Sequence, residues 1–138
     1  MENDMRNYIP HYAKYGIPAE RYNELRHFCL QYPLWRAEAQ SLLGVGAQRY
    51  SDMPHGSGVG DPVARAAERR ELLIEKINLV EKVARSVEDG RWYTALIQNC
   101  CMGKGLSYID PGIVPTSNRN AFYQARRLFY LRLDELKT

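Results

Sequence analysis

The sequence predicts an all-α fold: a small helical bundle with a long central helix and a C-terminal helix-turn-helix. Two observations predict this class. Apolar residues recur at helical spacing in successive stretches from residue 19 to the C-terminus, and no stretch of useful length shows the alternation typical of a strand. With 138 residues, 45% of them hydrophobic, the chain is long enough to bury a modest core.

Three segments are expected along the chain. An N-terminal arm and a helix pair occupy residues 1–43, a flexible linker occupies 44–60, and a long helix with a helix-turn-helix unit occupies 61–138, all within one compact domain. The arm mixes tyrosines with prolines and has no clear period. Pro33 is expected to open the second helix of the pair, which Gly44 then ends, although a single helix kinked at Pro33 is the alternative. The linker prediction comes from its many glycines, at positions 44, 46, 56, 58 and 60.

The longest helix is predicted to start with Asp61 as the cap and Pro62 at the first helical position, and to stop at Gly90. Within this helix, residues at alternating spacings of four and three form a heptad seam, in which one position is an arginine. The seam consists of Ala66, Arg70, Leu73, Ile77, Val80, Ala84 and Val87. Such a helix either forms the core of a bundle or pairs across a two-fold axis. The pattern favours core packing, with a homodimer through Leu73, Ile77 and Val80 as the alternative.

The C-terminal helix has two chemically different sides. It follows a segment with two prolines and a glycine, and Thr116 or Ser117 is expected to cap its start. The apolar side comprises Ala121, Phe122, Ala125, Leu128, Phe129, Leu133 and Leu136. The polar side comprises Arg119, Asn120, Tyr123, Gln124, Arg126, Arg127 and Tyr130. No carboxylate lies between Asp110 and Asp134, and residues 116–138 carry the same net charge, +3, as the whole chain.

The order of elements before this helix predicts a helix-turn-helix. A short helix from Trp92 to Cys100 is followed by a glycine turn around Lys104, a one-turn segment over 106–109, a second turn, and a recognition element over 117–133. The major groove of DNA admits a helix, and arginine, asparagine and glutamine side chains pair with base edges there. The alternative is a C-terminal helix with a solvated face whose cations suit the helix dipole.

The arrangement resembles the RinA/ArpU-type late transcriptional regulators of phages of Gram-positive bacteria, whose C-terminal half is similar to region four of sigma factors. The residues that carry this resemblance are the segments 29–35, 69–84 and 113–127. The resemblance implies sequence-specific binding to phage DNA and activation of late or packaging genes. It places Ser117, Arg119, Asn120, Tyr123, Gln124 and Arg127 at exposed positions of the recognition helix. The segment 106–109 departs from the family pattern because it is short for the first helix of the motif.

The leading hypothesis is therefore a phage- or prophage-type transcriptional regulator that binds double-stranded DNA, as a dimer, in the cytoplasm of a bacterial host. The residues expected to approach bases are Arg119, Asn120, Tyr123 and Gln124, and those expected to hold phosphates are Lys104, Arg126 and Arg127. Two other classes stay open. One is a protein–protein interaction module that inhibits a host enzyme, with Tyr123, Phe129 and Tyr130 facing the partner. The other is the small DNA-recognising subunit of a phage packaging enzyme.

Other chemistry is not indicated by the sequence. Glu2 and Asp4 lie where a signal peptide would be basic, and no apolar run is long enough for a membrane span. The three cysteines lack CxxC spacing, so buried reduced thiols are expected. The three histidines are scattered, and no serine or cysteine has a recognisable partner base. We expect neither a metal, nor a cofactor, nor an enzymatic activity.

Overall fold

The computed structural model describes residues 16–52 and 61–137, with side chains described for 16–44 and 61–137. Its α-helices are α1 (Ala19–Leu30), α2 (Tyr32–Asp52), α3 (Pro62–Ser86), α4 (Tyr93–Leu96) and α5 (Arg119–Leu136). A π-helical segment, Ile97–Cys101, extends α4, and 3₁₀ turns occupy Val87–Gly90, Leu106–Tyr108 and Thr116–Asn118. Neither described range contains a strand, so the predicted all-α class is confirmed.

The helix pair near the N-terminus is broken at Gln31, and Pro33 lies in the first turn of α2. Proline is tolerated there because the amide hydrogen it lacks would have no partner within the helix. The predicted end of α2 at Gly44 is wrong, because the helix continues to Asp52 and takes in the first part of the predicted linker. A glycine inside a helix costs only about 0.5–1 kcal/mol, and no proline follows before Asp52. The rest of that linker, residues 53–60, and residues 1–15 of the arm, which was predicted over 1–18, lie outside the described residues.

The described residues divide into two compact units. The first, which we call the terminal unit, comprises the residues up to Gln31 together with those from Val80 onward. The second, which we call the hairpin unit, comprises Tyr32–Leu79. Helix α3 therefore contributes residues to both units.

In the hairpin unit, α2 and α3 run antiparallel, because Ala39 of α2 contacts Arg70 of α3 whereas the earlier Trp35 contacts the later Lys76. Arg69 donates two hydrogen bonds to the carboxylate of Glu38, at 2.9 and 3.1 Å. One residue further along α3, Arg70 donates from Nε to the carbonyl oxygen of Ala39 at 3.1 Å. This bond explains how an arginine occupies a seam position, since its guanidinium has a backbone partner.

The seam of α3 is a core feature. The solvent-exposed fractions of its residues Leu73, Ile77 and Val80 are 1%, 7% and 0%. This burial agrees with the core packing that the sequence pattern favours, and the homodimer through these three residues stays a prediction.

The terminal unit encloses an aromatic core around α5. Phe122 and Phe129 are fully buried, and the ring of Phe122 lies edge-on to Trp92 with centroids 5.9 Å apart. Tyr130 was predicted on the polar side of the helix, but it is 2% exposed and its ring contacts Tyr22 at 5.2 Å between centroids. This correction has a physical cause: α1 covers that side of α5, which a helical period cannot reveal.

Three further predictions about α5 are wrong. Ala121 and Leu136 are exposed although they were placed on the apolar side. The cap position is Asn118, with no side-chain hydrogen bond, because Thr116 and Ser117 form part of a 3₁₀ turn that leads into the helix.

Candidate nucleic-acid interface

The uncovered side of α5 presents two rows of polar side chains. The outer row consists of Asn120, Gln124 and Arg127, of which the first two are exposed and the third is half-buried. The inner row consists of Arg119, Tyr123 and Arg126, all half-buried. Residues spaced by three and four lie on one side of a helix, so each row is a continuous strip.

The inner row is partly ordered by contacts. The guanidinium of Arg126 lies 5.0 Å from the ring centroid of Tyr123 and donates from Nη1 to Oδ1 of Asn99 at 3.0 Å. The Nε atom of Arg119 is buried and has no hydrogen-bond partner among the described residues. Of the two arginines, Arg126 is therefore the one the fold holds in a fixed orientation.

Not every cation of α5 belongs to this surface. Arg132 donates from Nη1 to the carbonyl oxygen of Ser86 and to its hydroxyl, the latter at 3.1 Å. This side chain joins α5 to the end of α3, so its role is structural. The positive charge that the uncovered side can offer a ligand comes from Arg119, Arg126 and Arg127.

The start of α5 is fixed by a compact turn. Oδ1 of Asp110 accepts a hydrogen bond from the amide of Gly112 at 2.9 Å, and its carbonyl oxygen accepts from the amides of Ile113 and Val114. Such an Asx turn restricts the backbone before the helix. Ser117, predicted to approach DNA, is exposed in the 3₁₀ turn that follows.

The segment predicted as the brief first helix of the motif is a single 3₁₀ turn, Leu106–Tyr108. The ring of Tyr108 is 78% exposed. The longer helical stretch before α5 is α4 with its π-helical extension, which ends at Cys101.

Lys104 and Arg126, both predicted phosphate ligands, lie on the same small cleft of the terminal unit, with a volume of about 170 Å³. A third cation, Arg26 of α1, lines it as well. We call this the basic cleft. It is lined by Tyr22, Arg26, Leu30, Asn99, Cys100, Gly103, Lys104, Gly105, Arg126 and Tyr130.

Three polar residues of the cleft, Tyr22, Arg26 and Asn99, were not among the residues singled out from the sequence. No local pattern marks them, because they come from α1 and the π-helical segment, and packing alone brings them to α5. The other predicted DNA-contacting residues, Ser117, Arg119, Asn120, Tyr123, Gln124 and Arg127, do not line the cleft.

The thiols behind the cleft are buried and free, as expected from the cysteine spacing. Burial raises the pKa of Cys100 to about 12, while the positive charges of Arg126 and Arg26 act in the opposite direction. The pKa of Cys29 is also raised, by a hydrogen bond with Cys101 and by burial. Cys100 and Cys29 are therefore protonated at neutral pH, which makes them poor nucleophiles and poor metal ligands.

No known protein family, curated protein or solved structure matches the chain. Among the described residues, no helix has the length and apolar character needed to cross a membrane. The same residues contain no group of three or more histidine, cysteine or acidic side chains that could hold a metal ion.

Proposed function

We propose that the protein binds double-stranded DNA through the uncovered side of α5, and that it acts as a transcriptional regulator of the phage type that the sequence resembles. The observation that carries the DNA proposal is the outer row of α5. It combines two exposed amide side chains with an arginine, and no carboxylate occurs in the helix before Asp134.

The dimensions of the outer row suit a groove. From Asn120 to Arg127 the helix rises about 10 Å, at about 1.5 Å per residue, which corresponds to about three base-pair steps of about 3.4 Å. Asparagine and glutamine pair with adenine through two hydrogen bonds, and arginine pairs with guanine in the same way. The row therefore carries the donors and acceptors that base recognition requires.

Arg119, Arg126 and Lys104 are the residues we assign to phosphates. Arg119 is half-buried on the uncovered side of α5, and Lys104 is exposed next to the basic cleft. Phosphate contacts fix the register of a protein on DNA, whereas base contacts provide specificity. We thus assign base contacts to the outer row and phosphate contacts to these cations.

Fluorescence anisotropy with a labelled mixed-sequence duplex of about two helical turns tests this proposal. The wild type is titrated between about 50 and 200 mM salt, together with the variant Arg119→Ala/Arg127→Ala. We expect affinity to fall steeply with salt for the wild type. The double variant should bind at least about tenfold more weakly, with a salt slope reduced by about one, because Arg119 is the phosphate ligand of the two and Arg127 contacts a base.

The matched control is Arg65→Ala/Lys82→Ala, which removes two exposed cations of α3 and leaves the net charge equal to that of the test variant. It should retain the wild-type salt slope. Equal losses in the two variants would assign the binding to net charge alone, and absence of binding by the wild type at low salt would refute the proposal.

Selection from a random duplex library tests the regulatory part. Enrichment of one sequence by the wild type, and its loss in Asn120→Ala/Gln124→Ala, would support an operator-binding regulator. Unenriched but salt-sensitive binding would refute sequence-specific regulation. The alternative, a host-protein interface formed by Tyr123, Phe129 and Tyr130, is less well supported. Phe129 and Tyr130 are buried and so are not available to a partner.

A further inference from the structure

The basic cleft brings together three cations from three separate segments of the terminal unit. Arg26 comes from α1, Lys104 from the glycine turn after Cys101, and Arg126 from α5. No carboxylate lines the cleft. Among the described residues, neither Arg26 nor Lys104 forms a salt bridge. Like charges repel at short range, so an anion bound among them would lower the free energy of the folded protein.

Two of these cations lie within electrostatic range of one buried thiol. The guanidinium groups of Arg26 and Arg126 both act electrostatically on the thiol of Cys100, which forms part of the cleft wall. Both side chains therefore line the cleft near Cys100, although α1 and α5 are far apart in the sequence.

The orientation of Arg126 is set before any ligand binds. Asn99 accepts from Nη1 of Arg126 at 3.0 Å, and its own Nδ2 donates to the carbonyl oxygen of Lys104 at 2.9 Å. One amide side chain thus holds both an arginine and the backbone of the neighbouring lysine. Because these groups are already ordered, binding costs less conformational entropy than it would with free side chains.

The glycine turn supports this arrangement. Gly103 has φ +70°, a left-handed conformation that glycine adopts without strain. The amide of Lys104 donates to the carbonyl oxygen of Gln98 at 2.9 Å, which folds the turn back onto the π-helical segment. The lysine is thereby kept at the edge of the cleft.

We propose that the basic cleft binds a phosphate group, held by Arg26, Arg126 and Lys104, with Asn99 as the positioning residue. Guanidinium groups match phosphate oxygens through paired hydrogen bonds, and lysine adds a compact charge. The volume of about 170 Å³ suits a small tetrahedral anion with a few waters. The phosphate is supplied either by the backbone of bound DNA or by a small phosphate-bearing ligand. A phosphate of the DNA backbone rests on the DNA-binding function proposed above, whereas a small phosphate-bearing ligand does not.

The first experiment measures the melting temperature of the full chain in inorganic phosphate and in chloride at equal ionic strength. The variants are Arg26→Ala and the control Arg65→Ala, which loses the same charge from an exposed position outside the cleft. Phosphate also stabilises proteins by exclusion from their surface, so the specific effect is the difference between variants. We expect Arg26→Ala to bind phosphate about tenfold more weakly than Arg65→Ala, with Arg26→Lys partly restoring binding.

The second experiment repeats the DNA titration with Arg26→Ala. A salt slope reduced by about one, together with weaker phosphate binding, supports the cleft with DNA as the source. Weaker phosphate binding with an unchanged DNA slope supports the cleft with a small ligand as the source.

An equal response of all variants to phosphate, with an unchanged DNA slope, overturns the inference. If the wild type binds no DNA at all, the proposed function fails, and the phosphate experiment alone then decides whether the cleft is an anion site. Circular dichroism of Arg26→Ala verifies folding, which we expect to be retained because Arg26 is exposed.

Discussion

Asn99 holds Arg126 through a hydrogen bond of 3.0 Å between Oδ1 and Nη1, which connects the π-helical segment with the C-terminal helix. The amide of Asn99 also donates to the backbone of Lys104. One residue that no sequence pattern distinguishes thus organises two of the predicted phosphate ligands.

Asn99→Ala should lower the free energy of unfolding by about 1–3 kcal/mol, because it removes one hydrogen bond to a charged group and one to the backbone. Urea denaturation measures this loss. Asn120→Ala is the control, since Asn120 is exposed on α5 and should change stability by no more than about 0.5 kcal/mol. Equal effects of the two substitutions would contradict the structural role of Asn99.

The ion pair between Arg21 and Asp134 joins α1 to α5 at 2.6 Å, and the two side chains are 26% and 31% exposed. A double-mutant cycle with Arg21→Met and Asp134→Asn should give a coupling of about 1 kcal/mol that shrinks as salt is added. The more exposed pair of Arg69 and Glu38 should show a smaller coupling. A coupling indistinguishable from zero would mean that this contact contributes nothing to the attachment of α1.

Phe129 is fully buried in the core of the terminal unit, where its ring contacts Tyr130 with centroids 5.1 Å apart. Phe129→Ala should lower the free energy of unfolding by about 3–5 kcal/mol, because it removes apolar contacts and leaves a cavity. Tyr108→Ala, at a ring that is 78% exposed, is the comparison and should cost no more than about 0.5 kcal/mol. A small loss for Phe129→Ala in urea denaturation would show that this ring is not in the core.

The turn after α3 contains two left-handed residues that are not glycine, Glu88 with φ 48° and Asp89 with φ 56°. Aspartate and asparagine tolerate this conformation, whereas a β-branched side chain does not. Asp89→Val should therefore lower the free energy of unfolding by about 1–2 kcal/mol, while Asp89→Asn should be close to neutral. If valine is tolerated as well as asparagine, the left-handed turn is not a feature of the folded protein in solution.

The buried thiol of Cys100 should make stability fall at alkaline pH. Its pKa rises from 9.0 to about 12 on folding, so between these values the unfolded chain loses a proton that the folded chain keeps. The free energy of unfolding is then unaffected by this group below pH 9.0 and falls by up to about 1.4 kcal/mol per pH unit above it.

Urea denaturation at several alkaline pH values measures this slope, with Cys100→Ala as the comparison. The free energy of unfolding of the variant should fall less steeply with pH than that of the wild type. Part of the decline remains, because the pKa of Cys29 is also raised on folding. Identical slopes would show that Cys100 does not titrate differently in the folded and unfolded chains.

The presence of most helices and the all-α fold class could be predicted from the sequence, because both depend on the local spacing of apolar residues. The break at Gln31, the start of α3 at Pro62 and the burial of its seam were all indicated by proline position and by the spacing of apolar residues. The end of α2 was not, since a single glycine such as Gly44 weakens a helix without stopping it.

The sequence by itself determined the all-α class and the carboxylate-free run of the C-terminal helix, because covalent order and helical period decide both. Only the tertiary structure decided which cations meet. It buried Tyr130 under α1, tied Arg132 to the end of α3, and brought Arg26 beside Arg126. These relationships arise from packing between helices that are distant in the chain, and a helical period carries no information about which neighbour covers a given side.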